Sequence, residues 1–523
     1  MKNIFLYLLV SFTLSSCVKF KTADLVVHNA RIYTVNQEFE IAQAMAINNG
    51  KIIAIGKEHE IMNKYRADKL LDAETRPIYP GFMDGHCHFL GAGLNSLAVD
   101  LSEVKTLENL QNRIERHRNS NPDSKWLVGF GWDENKWNFT TKEAYAAINE
   151  KFVDKAVLLW RVDGHSLLVN YKAQIDAKYY SFDQNSGIIT EEDIPLFTKA
   201  ISYTDAQKKA GLRFSEENYF SKGVTTVSDA GLTPSEVRLI ENMHESGTLE
   251  MNVNAMLYFS KEASRILPIA KEKLMANTYK VVLDGSVGSQ SACFKKPYKG
   301  TNNYGKILMT RDSLRLIAQI AYDQGAQLAV HCIGDSALDM ALEVMGKVLK
   351  GTNGLGWRIE HAQTVTESQL ELFKKYAIIP SVQPTHLNDD KEMVEKNLTE
   401  VQLKNSYRLS TLMEQNQMIA LGTDFPVATN NPIHTFYHAV YRSYKPWVLQ
   451  SENMSREEAL RGITFWVALA NKTYEQNGSL EIGKSADFVI LDRDIMKIPK
   501  DELLSAEVLK TFVSGTVVFE KIN

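Results

Sequence analysis

The sequence predicts an α/β protein: a (β/α)8 TIM-like barrel with a long insertion after its first strand, plus a small β-sandwich domain built from both chain ends. Three observations carry this expectation. Short apolar runs alternate with amphipathic helical stretches through the middle of the chain, the pattern of parallel β/α units. Eight such runs can be counted, the number that closes a barrel. Towards both ends the texture changes to short β-rich segments broken by turn residues.

Taken in order, the chain begins "MKNIFLYLLVSFTLSSC", with one lysine, an apolar run from Ile4 to Val10 that weakens towards Leu14, and small residues before Cys17. This is the pattern of a signal peptide, too short to span a bilayer as a mature helix. The ending "LSSC" resembles a bacterial lipobox, which implies removal of residues 1–16, lipidation of Cys17 and a periplasm-facing place in the bacterial cell envelope. An ordinary secretory signal with an incidental cysteine is the alternative. Residues 23–78 carry "ADLVVHNARIYTVN" and "AQAMAINNGKIIAIG", whose Asn-Ala and Asn-Gly breaks suggest hairpins. Similar strands return in 475–523, as "SADFVILDRD" and "VLKTFVSGTVVFEK", so the two ends are expected to share one β-domain.

Between them, residues 79–474 hold the barrel strand candidates "YPGFMDGHCHF", "GVTTVSDAG", "MNVNAMLYF", "YKVVLDGS", "AQLAVHCIGD", "WRIEHAQ", "AIIPSVQPTH" and "MIALGTDFPV". The gap from about 102 to 220 is too long for one connection, so it is read as an insertion with elements of its own, among them "WLVGFGWDENKW" and "AVLLWRVDGHSLLVN".

Composition narrows the function classes. With 44% hydrophobic and 23% charged residues and a formal charge of -4 over 523 residues, this is an ordinary globular balance. No basic run could neutralise phosphates, which argues against a nucleic-acid partner. Besides Cys17 the chain holds Cys87, Cys293 and Cys332, an odd number from which no disulfide framework follows. All three are read as small buried residues. "GSLEIGKS", Gly478–Ser485, satisfies the phosphate-loop expression, but the following "ADFVILD" reads as a strand where that loop needs a helix.

The chemistry begins at "GFMDGHCHFL". Side chains two apart on a strand share a face, so His86 and His88 can converge on one point, and two imidazoles on one point suggest a metal. Two ligands are too few alone. Lys280 in "YKVVLDGS", His331 in "AVHCIGD", His361 in "RIEHAQ" and Asp424 in "LGTDFP" each fall in or just after a different predicted strand, where the C-terminal face of a barrel gathers its site.

These residues resemble the metal-dependent amidohydrolase superfamily, and within it the YtcJ-like branch near N-substituted formamide deformylases. "PGFMDGHCH", "HCIGDSA", "RIEHAQ" and "LGTDFP" resemble the family's first-, fifth-, sixth- and eighth-strand motifs, and "NGSLEIGKSADFVILD" its return into the β-domain, which accounts for the false phosphate loop. The resemblance implies that His86, His88 and Asp424 bind one metal, that His331 and His361 bind a second, and that Lys280 bridges them. An ammonium has no acceptor, so the bridge needs Lys280 as a carbamate formed with carbon dioxide. Two divalent ions are implied; imidazole and carboxylate donors suit zinc, without excluding manganese, iron or cobalt.

Such a pair of ions lowers the pKa of a water from ~15.7 towards ~7, with Asp424 as general base and then general acid. The expected reaction is hydrolysis of a carbon-nitrogen bond in a small amide, of amidase or deformylase type. Ester or lactone hydrolysis on the same site is the alternative within enzymes; a non-catalytic, ligand-binding envelope lipoprotein is the alternative outside them. Substrate contacts are expected from Trp132, Trp137 and His165 in the insertion, and more weakly from Asp284 and His386, which could instead orient the ligands. A homodimer is compatible with this reading.

Overall fold

The computed structural model describes residues 20–522 apart from 163, 165, 181–185, 191–192 and 202. Among the described residues, eight parallel strands pair in chain order: Phe82–Cys87, Val224–Leu232, Asn252–Tyr258, Leu274–Val282, Gln327–Cys332, Arg358–His361, Ile379–Val382 and Ala420–Leu421. Helices pack outside them, so these strands are buried on both faces, which is why most of them read as continuous apolar runs.

The last strand shares no ladder with the first. They are joined just beyond their ends, where the Asp424 amide donates to the His86 carbonyl at 2.7 Å and the His88 amide to the Phe425 carbonyl at 2.9 Å. Two glycines permit that approach: a Cβ on Gly422 would lie 2.5 Å from the His86 nitrogen, and one on Gly85 2.7 Å from the Leu421 carbonyl oxygen. The seam of this nearly closed barrel therefore runs through the metal-ligand candidates themselves.

The insertion carries its own sheet, ordered Ile188–Thr190, Ser166–Val169, Ala156–Arg161, Trp126–Trp132, Val99–Asp100. Its bounds differ from the expected 102–220. The sheet starts at Val99, and the helix Asp205–Phe220 belongs to the barrel: Leu212, Tyr219 and Phe220 join the barrel core, and the Ser215 hydroxyl donates to the Phe89 carbonyl at 2.9 Å. An amphipathic pattern shows that a helix has a buried face, not which sheet it covers.

At the chain ends, a sheet of Lys51–Gly56, Ala44–Asn48, Lys21–His28 and Tyr65–Asp72 faces one of Thr516–Glu520, Val508–Val513, Phe488–Leu491, Pro77–Pro80, Arg31–Tyr33 and Ile41–Ala42. Val27 and Ile47 of the first share a core with Ile78, Phe488 and Phe512 of the second. Gly478–Ser485 leads into the strand Phe488–Leu491, and its Lys484 amine is committed to Ser479 at 2.6 Å and Glu481 at 2.8 Å, so no phosphate cradle forms. Cys87, Cys293 and Cys332 are unpaired; the first and last are buried, whereas Cys293 is only partly so, a correction to the expected burial of all three. No helix among the described residues is long and apolar enough to cross a membrane.

Candidate metal centre

The barrel gathers the predicted ligands at one end. His86 is fully buried near the end of the first strand, and His88 follows just beyond it. Asp424 Oδ1 lies 3.6 Å from His86 Nε2 and 3.2 Å from His88 Nε2, so these three form one set of donors. Asp424 also groups with His361 and His386. Two of these residues hold left-handed backbone, His361 at φ 72° and Asp424 at φ 57°, a conformation that is sparsely populated outside glycine and that collects at functional sites.

Lys280, on the fourth strand, is 4% exposed, with its Nζ 3.3 Å from His86 Nε2. Among the described residues no carboxylate lies within 4 Å of that amine. His331, on the fifth strand, donates from Nε2 to the Gly285 carbonyl at 3.3 Å, which leaves Nδ1 as the ring nitrogen with a free lone pair. Its ring centroid is 4.5 Å from that of His361, which is in turn 4.8 Å from that of His86.

The electrostatics favour the protonation states that bind cations. Burial pulls the His331 pKa down to about 3, with the Lys280 charge adding to the effect, and lowers His86 and His361 as well. Neutral imidazole is the ligating form. Burial also lowers Lys280, towards the neutral amine. Burial alone would raise Asp424, but its contact with His88 and the field of His86 and His361 hold its carboxyl well below the usual range.

Several residues that sequence reading passed over hold these groups in place. The Glu360 carboxylate meets His86 Nδ1 at 2.5 Å and fixes the ring with Nε2 towards the centre. Arg358 Nε lies 2.9 Å from the other Glu360 oxygen, and Arg358 donates to Asn471 Oδ1 at 2.9 Å; Arg358, Glu360 and Asn471 are all inaccessible to solvent. Gln383 Oε1 lies 2.8 Å from His361 Nδ1. Asp84 accepts from the Thr423 amide at 2.9 Å and its hydroxyl at 2.5 Å, and so positions the residue before Asp424. The available signal was the charge pattern "RIEH" in an otherwise apolar strand, since a buried Arg and Glu two residues apart must share a face and find partners.

Of the weaker candidates, His386 stands at the centre, with Nε2 4.0 Å from Asp424 Oδ2. Asp284 is fully buried, accepts from the Ile333, Gly334 and Cys293 amides at 3.0, 2.8 and 2.9 Å, and is pushed up to about 7 by burial; it shapes the loop after His331. Trp132 is corrected: 2% exposed, its Nε1 donates to the Leu159 carbonyl at 2.8 Å, and it packs with Trp137 in the insertion core, not on a pocket wall. That apolar ring was needed by the insertion's own sheet. His165 and Cys17 lie outside the described residues.

The donor set fits divalent metal. Asp424 Oδ1 and His386 Nε2 are buried without a hydrogen-bond partner, an arrangement that costs free energy unless another group completes it. Comparison with known proteins agrees: residues 69–519 match the model described as "Amidohydrolase family". The chain belongs to the amidohydrolase family. This amidohydrolase is 31% identical to the protein LONG AFTER FAR-RED 3 of Arabidopsis thaliana, over 95% of this chain and 92% of that one. It is 24% identical to the N-substituted formamide deformylase of Arthrobacter pascens, over 95% and 98%. Among solved structures it is similar to an uncharacterized metal-dependent hydrolase from Pyrococcus furiosus, with TM-score 0.79, 27% identity and coverage of 90% and 100%. The amidohydrolase is thus a hydrolase of the metal-dependent superfamily, with His and Asp groups placed to hold the metal.

Proposed function

We propose that this amidohydrolase cleaves the carbon-nitrogen bond of a small amide, in the manner of an amidase or deformylase, with a centre where two divalent ions would be held by the histidines and Asp424 together with Lys280 as a carbamate. The observation that carries the reading is Lys280 itself: a buried lysine with no carboxylate within 4 Å among the described residues, beside His86. A buried ammonium without a close counter-ion is costly, whereas a carbamate between cations is compensated. The name of the Arthrobacter relative supports amide chemistry.

His86, His88 and Asp424 would hold one ion and His331 and His361 the other, with zinc suited to the donors. When bound, the ions supply a Lewis acid for the substrate carbonyl and acidify the attacking water. Asp424, its carboxyl held well below the usual range, would act as the base towards the attacking water and then as the acid towards the leaving nitrogen. Glu360 and Gln383 keep His86 and His361 in the required orientation. We place the mature protein on the envelope through a lipid on Cys17.

The test is elemental analysis of metal-supplemented protein beside Lys280→Ala, followed by turnover of matched amides and esters. About two divalent ions per chain, falling in the variant, with amides preferred, is the expected result. One ion or none in folded protein would overturn the bridged centre, and ester preference would overturn the amide reading. Asp424→Asn should lose at least ~100-fold in kcat, and retention of near-parental activity in a metal-loaded sample would remove it as the base.

A further inference from the structure

A cleft opens beside His361 and His386, between the segments that follow the sixth and seventh strands and the end of the helix Pro432–Val440. His361 and His386 form its inner wall and Leu387 and Leu412 part of its apolar side, and its cavity volume is about 30 Å³, room for one small polar group such as a carboxylate.

Its polar lining is unbalanced towards donors. Arg442 is 5% exposed and lines the cleft, yet its one hydrogen bond among the described residues is a long one, from one terminal nitrogen to the Glu452 carbonyl at 3.4 Å. Gln383, also 5% exposed and in the wall, is buried at its Nε2 with no hydrogen-bond partner. Its oxygen is engaged by His361 Nδ1, so the amide N–H donors of this wall residue are left without an acceptor among the described residues. Tyr407 accepts from Gln363 Nε2 at 2.8 Å.

The charges around Arg442 are the Glu452 carboxylate behind it, which also accepts the Thr411 amide at 2.9 Å and lies 3.8 Å from Arg408, and Asp390 beside Tyr407. His438, held neutral by burial that brings it down to about 4, adds no charge. With the Glu452 carboxylate engaged by the Thr411 amide and Arg408, and Arg442 meeting only the Glu452 carbonyl among the described residues, an open fork and an unpaired amide remain. That suits a single carboxylate better than a phosphate dianion, because an arginine fork matches a planar carboxylate in a bidentate manner.

The geometry points to Arg442 and Gln383 as a receptor for a substrate carboxylate, so that this hydrolase selects amides bearing a carboxylate a few atoms from the scissile bond. The inference rests on the amide reading above for the reaction, and on the cleft alone for the binding.

The test uses metal-loaded protein and two probes that differ only in the carboxylate, N-formylphenylalanine and N-formylphenethylamine. Calorimetric titration is expected to show the acid binding about 10-fold or more tighter than the neutral compound, as charge-assisted hydrogen bonds to a buried guanidinium imply. That ratio should fall towards one in Arg442→Met and to an intermediate value in Arg442→Lys, which keeps the charge and serves if the methionine variant does not fold. Equal binding of the two probes by the parent protein, or no measurable binding of the acid, overturns the proposal. So does a preference that survives in both Arg442 variants, since it would then belong to the metal centre. Formate release separates the two readings. Arg442-dependent binding of an acid that is never hydrolysed supports the receptor and removes the amide reading. Turnover of both probes at equal kcat/KM does the reverse.

Discussion

At the residue scale, the site depends on side chains that never reach a metal. His86 has to offer Nε2, and the only contact that settles which nitrogen is free among the described residues is Glu360 at Nδ1, itself paired with Arg358. Glu360→Gln keeps the shape but weakens the acceptor and strips Arg358 of its counter-charge. We expect zinc affinity, measured by chelator competition on protein shown to be folded, to fall by about 10 to 100-fold. An unchanged affinity would mean that packing alone orients the His86 ring. The candidate His and Asp donors were legible in the sequence because their chemistry is narrow and each sits at a strand end. Glu360 was not, because the Arg358 and Glu360 pattern shows that the two share a face but not which face, or that His86 waits there. Here His361 adopts left-handed backbone, so simple alternation from Glu360 fails.

At the scale of elements, the decisive feature is the seam between the first and last strands. The ladder is absent there, and closure depends on backbone contacts that only glycine allows. Gly422→Ala would press a methyl against the His86 nitrogen, 2.5 Å from an ideal Cβ, where backbone must give way. Overpacking of this kind costs about 1–3 kcal/mol. The expected outcome is a lower midpoint in chemical denaturation together with loss of metal, because the displaced strand carries His86. A variant that loses stability yet binds metal as the parent does would show that the seam and the centre are mechanically separate. The eight β/α units were readable from their alternation, while the end of the insertion was not: the helix Asp205–Phe220 looks the same whether it covers the inserted sheet or the barrel.

At the scale of the whole molecule, the terminal β-domain is joined to the barrel by buried polar contacts, and one of them titrates. Asp487 accepts from the Ser514 amide at 2.7 Å in the β-domain and from the Asn252 side chain at 3.0 Å on the third barrel strand. Burial pushes its pKa up to about 6 from an ordinary 3.8. Between those values the folded chain holds a proton that the unfolded chain has released, so this group's contribution to stability declines as pH rises through about 6. Asp487→Asn removes the titration. The difference in Tm, variant minus parent, should therefore increase from pH 4 to pH 7, whatever its starting sign, and a difference independent of pH would show that Asp487 titrates normally.

The sequence by itself determined the family, the barrel and most of the candidate metal-binding residues that the fold brings together, since strand periodicity and scarce, chemically specific side chains are local properties that survive in a one-dimensional reading. Only the tertiary structure decided which groups meet. It brought Glu360 to His86, turned His386 and Arg442 towards one cleft and placed Trp132 in the insertion's own core. The physical reason is that burial and partnership depend on which surfaces pack together, and residues 274 apart in the chain, such as His86 and Glu360, carry no local mark of being neighbours.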